Sequence, residues 1–238
     1  MLKEKLDKYN IILASKSPRR QFLLKELGLN FEIRVKDTDE SFPEKLKGED
    51  IALYLCKKKA EVFRNELKPN DLLITADTIV WINNTVLNKP ADHSEAVQIL
   101  KTLSGNMHTV YTGVCIGRLS PSRGGEGEVL LSAFVTSTNV HFKKLTDEEI
   151  NSYITHYKPF DKAGAYGAQE CLPKGMNPCS EEEKEFLRKI KNPDLFEKSN
   201  ATKAGIGEIG IIEKIVGSYF NVMGLPVKDL YEELMSYR

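Results

Sequence analysis

The sequence predicts a mixed α/β protein with a β-rich centre and helices around it, in two lobes. Three observations carry this prediction: a strand–helix–strand pattern at the N-terminus, a long strand with apolar residues on both faces, and two further β-rich segments. At 238 residues, the chain is long enough for one large domain or two modest lobes with a substantial core.

The N-terminus predicts a β-α-β unit. A short apolar run at Ile11–Ser15 indicates a strand, and Ser17-Pro18 then supplies an N-cap followed by proline at the first helical position. The helix ends at Gly28, and Phe31–Val35 alternates like a second strand.

The next stretch predicts a loop, a long helix and a central strand. Residues 36–49 are polar, and Asp50 caps a helix that reaches about Leu67. Asp71–Ile82 is apolar on both faces, which favours a strand buried on both sides. The elements that follow are a turn at Asn83-Asn84, a short strand at Val86–Leu87, a helix at Asp92–Leu103, β-rich segments at Thr109–Ile116 and Val129–Phe142 around a loop at 118–128, and a helix at Thr146–Ile154.

The C-terminal third is less regular. Prolines and a charged run between Cys171 and Lys203 predict a surface insertion with one short helix. Strand character resumes at Ile206–Val216, and Pro226–Ser236 predicts a closing helix. We therefore predict a single domain over residues 1–238 with an insertion at 172–203, called the 172–203 segment below.

Composition excludes several classes of protein. The 34 basic and 34 acidic residues balance, which argues against the broad basic face of a nonspecific nucleic-acid binder. No run approaches the roughly 20 apolar residues of a membrane span, and the N-terminus lacks the apolar core of a secretory signal. The four cysteines are scattered and form no C-x-x-C pair. We expect a cytoplasmic protein without nucleic-acid or membrane partners.

The common catalytic motifs are also missing from the sequence. The four histidines have no metal-ligand spacing, and neither a G-x-S-x-G elbow nor a G-x-x-x-x-G-K-[ST] phosphate loop occurs. The pattern gives no support to acyl-transfer hydrolysis or to a P-loop nucleotidase.

Cations cluster at the start of the first predicted helix. Arg19 and Arg20 lie at a helix N-terminus, whose free N–H groups and dipole favour an anion. The two cations cost about a few tenths of a kcal/mol there unless something negative binds between them. A polyphosphate would remove this cost; alternatively, both side chains point to solvent or pair with nearby acids.

Two charged residues fall on faces predicted to be apolar. Lys59 lies near the middle of the apolar side of its helix, where it either extends along the helix to solvent or meets an anion in a cleft. Asp77 lies within the doubly buried strand, where an ionised carboxylate needs a cation or hydrogen-bond donors. Metal binding or base chemistry would explain Asp77, as would a structural pair with a lysine. By themselves, Lys89 and the Asp39-Glu40 pair are ordinary loop residues.

Six ordered blocks of sequence carry a family resemblance: LASKSPRR, ITADTIV, LNKP, LSGNMHTVYTG, DKAGAYGAQ and IVGSYFNVMGLP. Together they resemble the Maf family of nucleoside triphosphate pyrophosphatases. The resemblance implies a Maf/ITPase-like mixed sheet with flanking helices and two lobes around a nucleotide cleft. It also implies metal-dependent hydrolysis of a nucleoside triphosphate to monophosphate and pyrophosphate.

The resemblance assigns roles by motif position. Asp77 matches the catalytic acid, taken as the proton acceptor, and Glu40 matches a carboxylate assigned to metal or water. The candidate residues are Asp77, Glu40, Lys59 and Lys89 for catalysis, Ser15, Arg19, Arg20, Thr78 and Gln169 for substrate binding, and Asp77 and Glu40 for Mg²⁺ or Mn²⁺. Which carboxylate is base and which is metal ligand stays open.

Three residues point to one branch of the family. Arg19, Thr78 and Gln169 match the branch that resembles dTTP and UTP hydrolases, whereas the branch that resembles 7-methyl-GTP hydrolases has tryptophan in place of Arg19. A glutamine amide pairs with a pyrimidine edge through one donor and one acceptor. The 172–203 segment, which follows Gln169 closely, is a departure from the family pattern.

Two other functions remain open at this point. One is a nucleotide-binding regulator of septum formation and cell division, which needs a binding site but no base. The other is a 7-methyl-GTP pyrophosphatase. The expected partner is a nucleoside triphosphate substrate, and a homodimer is the candidate assembly.

Overall fold

A computed structural model describes residues 2–120, 128–200 and 210–237. The helices in these residues are α1 (Leu2–Leu6), α2 (Pro18–Glu26), α3 (Glu49–Glu61), α4 (His93–Leu103), α5 (Asp147–Tyr157), α6 (Ala168–Cys171), α7 (Glu181–Lys189), α8 (Leu195–Asn200), α9 (Tyr219–Met223) and α10 (Val227–Ser236). The strands are β1 (Asn10–Leu13), β2 (Glu32–Ile33), β3 (Asp71–Ile82), β4 (Thr85–Leu87), β5 (Met107–Leu119), β6 (Val129–Phe142) and β7 (Ile212–Val216).

The strands form a mixed sheet, as the sequence predicts. Their order is β2-β1-β3-β5-β6-β7, with β4 paired to β3. β1 runs parallel to β2 and to β3, whereas β4 is antiparallel to β3 and β7 is antiparallel to β6. The predicted mixed sheet with flanking helices is confirmed.

The chain divides into two units. The first comprises Met1–Asp77, Thr112–Thr136 and Gly224–Arg238, and the second comprises Thr78–Tyr111 and Ser137–Met223. The boundaries fall within β3, β5 and β6, so each of these strands contributes residues to both units.

In the first unit, α3 packs closely on the sheet. The Thr75 hydroxyl on β3 donates to the carbonyl of Cys56 on α3 at 2.7 Å, and both residues are fully buried. Glycine at position 113 of β5 allows α3 to approach, because a Cβ there would lie 2.3 Å from the carbonyl oxygen of Ala52. These contacts fix the height and rotation of α3, and therefore of Lys59 on its last turn.

In the second unit, α4 packs against α5. A capping box begins α5: the Thr146 hydroxyl accepts from the N–H of Glu149, and the Glu149 carboxylate accepts from the N–H of Thr146. Both reciprocal bonds satisfy backbone donors that a helix start otherwise leaves unpaired.

The prediction that Asp50 caps the long helix is wrong: α3 begins at Glu49, its N-cap is Gly48, and Asp50 lies within the first turn. Two further boundaries also differ from the prediction. The first concerns α3, which ends at Glu61 instead of near Leu67, because Phe63, Arg64 and Glu66 donate to carbonyls three residues back. Phe63 and Leu67 stay buried in these turns, so their apolar spacing imitates a continued helix. The second is the 172–203 segment, whose described part, residues 172–200, contains two helices, α7 and α8, and not one. Most of the predicted 118–128 loop and the start of the 206–216 strand lie outside the described residues.

No helix in the described part of the chain is long and apolar enough to cross a membrane.

A buried histidine in the second unit predicts loss of stability in mild acid. His108 is 1% exposed, its Nε2 lies 2.8 Å from the hydroxyl of Tyr166, and its ring meets Phe142 edge-on. Burial lowers its pKa from 6.5 to about 3, so the folded protein binds fewer protons than the unfolded chain between these values. The free energy of unfolding should therefore fall by up to about 1.4 kcal/mol per pH unit as pH drops below about 6.5.

The measurement is chemical denaturation of wild type and His108→Gln between pH 7 and pH 4. Gln does not titrate, so the variant should show a flatter pH dependence, while His93→Gln, at an exposed position, should follow wild type. Equal slopes for wild type and His108→Gln would contradict the assignment of this acid response to His108.

Candidate active site

The start of α2 presents backbone donors and hydroxyl groups in the first unit. Ser17 is the N-cap, and its hydroxyl accepts from the N–H of Arg20 at 3.5 Å. Ser15, which is 5% exposed, accepts from the N–H of Ser17 at 3.2 Å. Gln21 fastens the turn by donating to the carbonyl of Ser15 at 3.1 Å. The β1–α2 connection is thus a tightly bonded turn at a helix N-terminus, a place where anions bind readily.

Arg19 and Arg20 lie half-buried on the first turn of this helix. Desolvation lowers the pKa of Arg20, the carboxylates of Asp77 and Glu40 raise it, and the charge of Arg19 lowers it. Arg20 Nε also donates to the carbonyl of Gly224 at 2.8 Å, which fixes its direction. The two arginines therefore repel each other beside a helix N-terminus, and a bound anion would relieve that repulsion.

Lys59 joins two carboxylates from distant parts of the first unit. Its ammonium donates to Glu40 at 2.9 Å and to Asp77 in a close ion pair. Asp77 is 7% exposed, whereas the Glu40 side chain is 52% exposed. Of the explanations that the sequence left open for Asp77, the structure shows the pair with a lysine, and the same lysine also binds a second carboxylate.

The loop that carries Glu40 is tied to α3 by its neighbour. Asp39 accepts from Lys58 at 2.9 Å and from the N–H of Ser41 at 2.9 Å, and it also binds the Ser41 hydroxyl. The Ser41 hydroxyl, the Lys58 ammonium and the Ser41 N–H together lower the pKa of Asp39. Because Lys58 and Lys59 are adjacent on α3, this contact sets Glu40 beside Lys59.

The donor set fits a hard divalent cation. Asp77 and Glu40 converge on one ammonium, so their oxygens lie close enough to serve a common ligand. Mg²⁺ commonly takes one or two carboxylates and fills its shell with water and phosphate oxygens. Within residues 2–120, 128–200 and 210–237, no group of three or more His, Cys, Asp or Glu side chains could hold a metal without such help.

The remaining candidates lie in the second unit. Thr78 follows Asp77 directly on β3 and is half-buried, while Lys89 is exposed just after β4. The carbonyl of Asn88 accepts from the N–H of Gly164 at 3.2 Å, which joins the Lys89 turn to the segment leading to Gln169. Gly164 has a positive φ of 70°, and a Cβ there would lie 2.8 Å from the Val80 side chain.

Gln169 lies on a short helix whose backbone is fixed by buried side chains. It is half-buried on α6, while its neighbours Ala168 and Glu170 are buried. The Tyr153 hydroxyl donates to Glu170 at 2.8 Å and accepts from the N–H of Gly167 at 3.0 Å. Lys162 lies 3.6 Å from the other oxygen of Glu170. The buried network thus fixes the backbone on both sides of Gln169.

These supporting residues were not predicted as site residues from the sequence. Glu170 carries the one usable signal, because it is a lone carboxylate in a run of small and apolar residues. Its partner Tyr153 comes from α5, and no sequence spacing links the two.

The structure thus brings together Arg20, Glu40, Lys59 and Asp77 in the first unit, with Arg19 beside Arg20 on α2 and Ser15 in the β1–α2 connection. In the second unit, it links Asn88, which precedes Lys89, to Gly164 in the segment that leads to Gln169. Clustered cations at a helix N-terminus, beside paired carboxylates, define an α/β protein equipped to bind a phosphorylated ligand.

The chain belongs to the Maf family. The family profile described as "Maf-like protein" matches residues 10–176, which include every candidate site residue. The match ends within the 172–203 segment.

Three curated relatives are similar over nearly the whole chain, and each is named dTTP/UTP pyrophosphatase. The Phocaeicola vulgatus protein is 42% identical over 97% of this chain and 97% of its own. The Flavobacterium johnsoniae protein is 41% identical over 98% of both chains. The Porphyromonas gingivalis protein is 40% identical over 98% of this chain and 97% of its own.

Among solved structures, the Staphylococcus aureus Ham1 protein matches 56% of this chain and 71% of its own, with 10% identity and a TM-score of 0.40. This similarity is too weak to carry an argument.

Proposed function

We propose that this protein hydrolyses nucleoside triphosphates, dTTP and UTP above all, to the nucleoside monophosphate and pyrophosphate. The observation that carries the proposal is the contact of Lys59 with both Asp77 and Glu40, close to the arginines at the start of α2. The names of the curated relatives support the same activity and the same bases. Removal of unwanted pyrimidine triphosphates from the nucleotide pool is the cellular role that follows.

The reaction requires water to attack the α-phosphorus, with pyrophosphate as the leaving group. We assign Asp77 the proton of the attacking water. In support, its carboxylate is buried and is held in one position by Lys59. Arg19, Arg20 and Lys59 supply positive charge for the phosphate oxygens, where charge accumulates in the transition state. Ser15 lies in the turn beneath these arginines, and we assign it a hydrogen bond to the same phosphates.

A divalent cation, Mg²⁺ or Mn²⁺, belongs to this proposal. Asp77 and Glu40 are the residues that would hold it, and a bound cation would offset the negative charge of the phosphates. Whichever carboxylate takes the proton, Lys59 keeps both oriented toward one point.

The second unit supplies the remaining assigned contacts. Lys89 is an exposed cation for the phosphates, and Gln169 offers an amide donor and acceptor for a pyrimidine edge. We also assign a hydroxyl contact with the substrate to Thr78, which follows Asp77 in the chain. Gln169 is half-buried and its neighbouring backbone is fixed by hydrogen bonds. This supports a role in selecting the base, because a rigid amide discriminates between bases better than a mobile one.

The other assignments complete the proposal. We treat residues 1–238 as one functional domain, with the 172–203 segment as an insertion. The four cysteines are buried free thiols, which suits a reducing cytoplasm. A homodimer remains a prediction, and sedimentation equilibrium checks it.

The test is product analysis with dTTP, UTP, CTP, GTP and 7-methyl-GTP in Mg²⁺, Mn²⁺ or EDTA. We expect pyrophosphate and monophosphate from dTTP and UTP at more than about ten times the rate for the other nucleotides, and no turnover in EDTA. Release of the nucleoside diphosphate and inorganic phosphate would contradict attack at the α-phosphorus. Tight nucleotide binding without any hydrolysis would overturn the proposal in favour of a regulator.

A further inference from the structure

The 172–203 segment leaves the rest of the second unit and returns to it at one place. The N–H of Ile211 donates to the carbonyl of Cys171 at 2.8 Å. At the same junction, a Cβ added to Gly210 would lie 2.9 Å from the ring of Pro173. The flanking residues Cys171 and Ile211 therefore lie side by side.

A buried carboxylate on α7 holds the start of α9. Glu183 is 3% exposed and accepts from the Ser218 hydroxyl at 2.6 Å and from the N–H groups of Tyr219 at 3.0 Å and Phe220 at 3.5 Å. The same carboxylate closes the capping box of α7 with Ser180. Four donors, from Ser180, Ser218, Tyr219 and Phe220, thus meet one buried carboxylate, and they attach α7 to the start of α9.

The second helix of the segment contacts the same place. The ring of Phe196 on α8 meets the ring of Tyr219 edge-on, with centroids 5.4 Å apart. The Tyr219 hydroxyl donates to the side-chain oxygen of Asn200 at 3.1 Å. The start of α9 is therefore held from two sides by the 172–203 segment.

The helix so held is connected to the strands and to α6. Asn221 on α9 is fully buried and donates to the carbonyl of Val110 on β5 at 3.0 Å and to the Thr138 hydroxyl on β6 at 2.9 Å. α9 also packs against α6, the short helix that carries Gln169. A displacement at the start of α9 is therefore passed to the turn beneath Gln169.

We propose that Glu183 is a positioning residue for Gln169, acting through the start of α9 and the contact of α9 with α6. In this proposal, α7 and α8 of the 172–203 segment act as a brace: they limit the movement of the Gln169 amide and so increase the discrimination between bases. This inference rests on the proposed function, because it takes Gln169 as the residue that contacts the base.

The test compares Glu183→Gln with a matched control on the same helix. Gln keeps the size of the side chain but directs an NH₂ group at N–H donors, so one of the acceptor oxygens is lost. Glu185→Gln removes the same charge from an exposed position of α7. Ser218→Ala deletes one donor to Glu183 and keeps the test decisive should Glu183→Gln fail to fold.

Two measurements on the full chain decide the proposal. The first is kcat and KM for dTTP and CTP: Glu183→Gln should raise the KM for dTTP about tenfold, lower the dTTP preference, and leave kcat within about twofold of wild type. The second is amide hydrogen exchange in α6 and α9, which should be about tenfold faster in Glu183→Gln and unchanged in Glu185→Gln.

The opposite results are equally clear. Unchanged exchange in α6 despite faster exchange in α9 would overturn the brace, as would an equal loss of kcat/KM for every nucleotide. Gln169→Ala separates this outcome from failure of the proposed function. If Gln169→Ala leaves base preference unchanged, the role of Gln169 in the proposed function is wrong, and the exchange measurement alone then decides whether Glu183 holds α6.

Discussion

Asp77→Asn should lower kcat about 10³-fold while leaving nucleotide binding within a few-fold of wild type. The amide keeps the shape of the side chain and its position on β3, but it cannot accept a proton from water and is a poor metal ligand. Lys59 keeps its contact with Glu40, so the substitution does not leave a buried ammonium without a carboxylate. The fold should therefore survive.

The measurement is pyrophosphate release under saturating dTTP, with dTTP affinity measured separately by calorimetry. Asp50→Asn is the control, because it removes one charge from an exposed position at the start of α3 in the same unit. A kcat within tenfold of wild type would remove Asp77 from the role of base or metal ligand. A loss of nucleotide affinity equal to the loss of kcat would instead make it a binding residue.

The sequence identifies Asp77 and Lys59 because each contradicts its own surroundings. A carboxylate within a doubly apolar strand and an ammonium on the apolar side of a helix are costly in isolation, and the structure shows them paired. Because burying either charge alone costs free energy, each residue indicates that a partner of opposite charge lies nearby. Local pattern is sufficient here because the anomaly lies in single residues and needs no knowledge of the tertiary fold.

Local pattern fails where both partners are ordinary in their own segments. Asp39 lies in a polar loop and Lys58 is one of three successive lysines, so neither is anomalous until folding brings them to 2.9 Å. Glu183 is similar in part: its spacing from Ser180 is that of a capping box, but no spacing links it to the start of α9, and its burial emerges only from the fold. Such residues support the site through contacts that sequence spacing does not encode.

The boundaries of the helices show the same limit. The Phe63 and Leu67 side chains are buried as the helical spacing predicts, yet α3 ends at Glu61 and tighter turns carry both residues. The spacing of apolar residues predicts which side chains are buried. It does not predict whether the backbone that bears them is an α-helix or a tighter turn, because that depends on the hydrogen-bond pattern.

Gly113→Ala should destabilise the protein by about 3 kcal/mol and also reduce activity in the molecules that remain folded. An added Cβ would lie 2.3 Å from the carbonyl oxygen of Ala52 and 2.6 Å from its carbon, and backbone atoms cannot rotate away as a side chain can. α3 must therefore move off the sheet. Because Lys59 is on α3 and Asp77 is on β3, that movement separates the ion pair at the centre of the site.

Gly117→Ala is the matched control on the same strand. Its Cβ would meet the end of the Leu131 side chain at 3.1 Å, which a small rotamer adjustment relieves, so the expected loss is below about 1 kcal/mol. Urea denaturation of both variants measures the difference, and kcat for dTTP in the folded range should fall more than about tenfold for Gly113→Ala only. If both variants lose the same stability, α3 does not depend on the missing side chain at position 113. If Gly113→Ala is unstable but fully active, the position of Lys59 does not depend on the packing of α3 against β5.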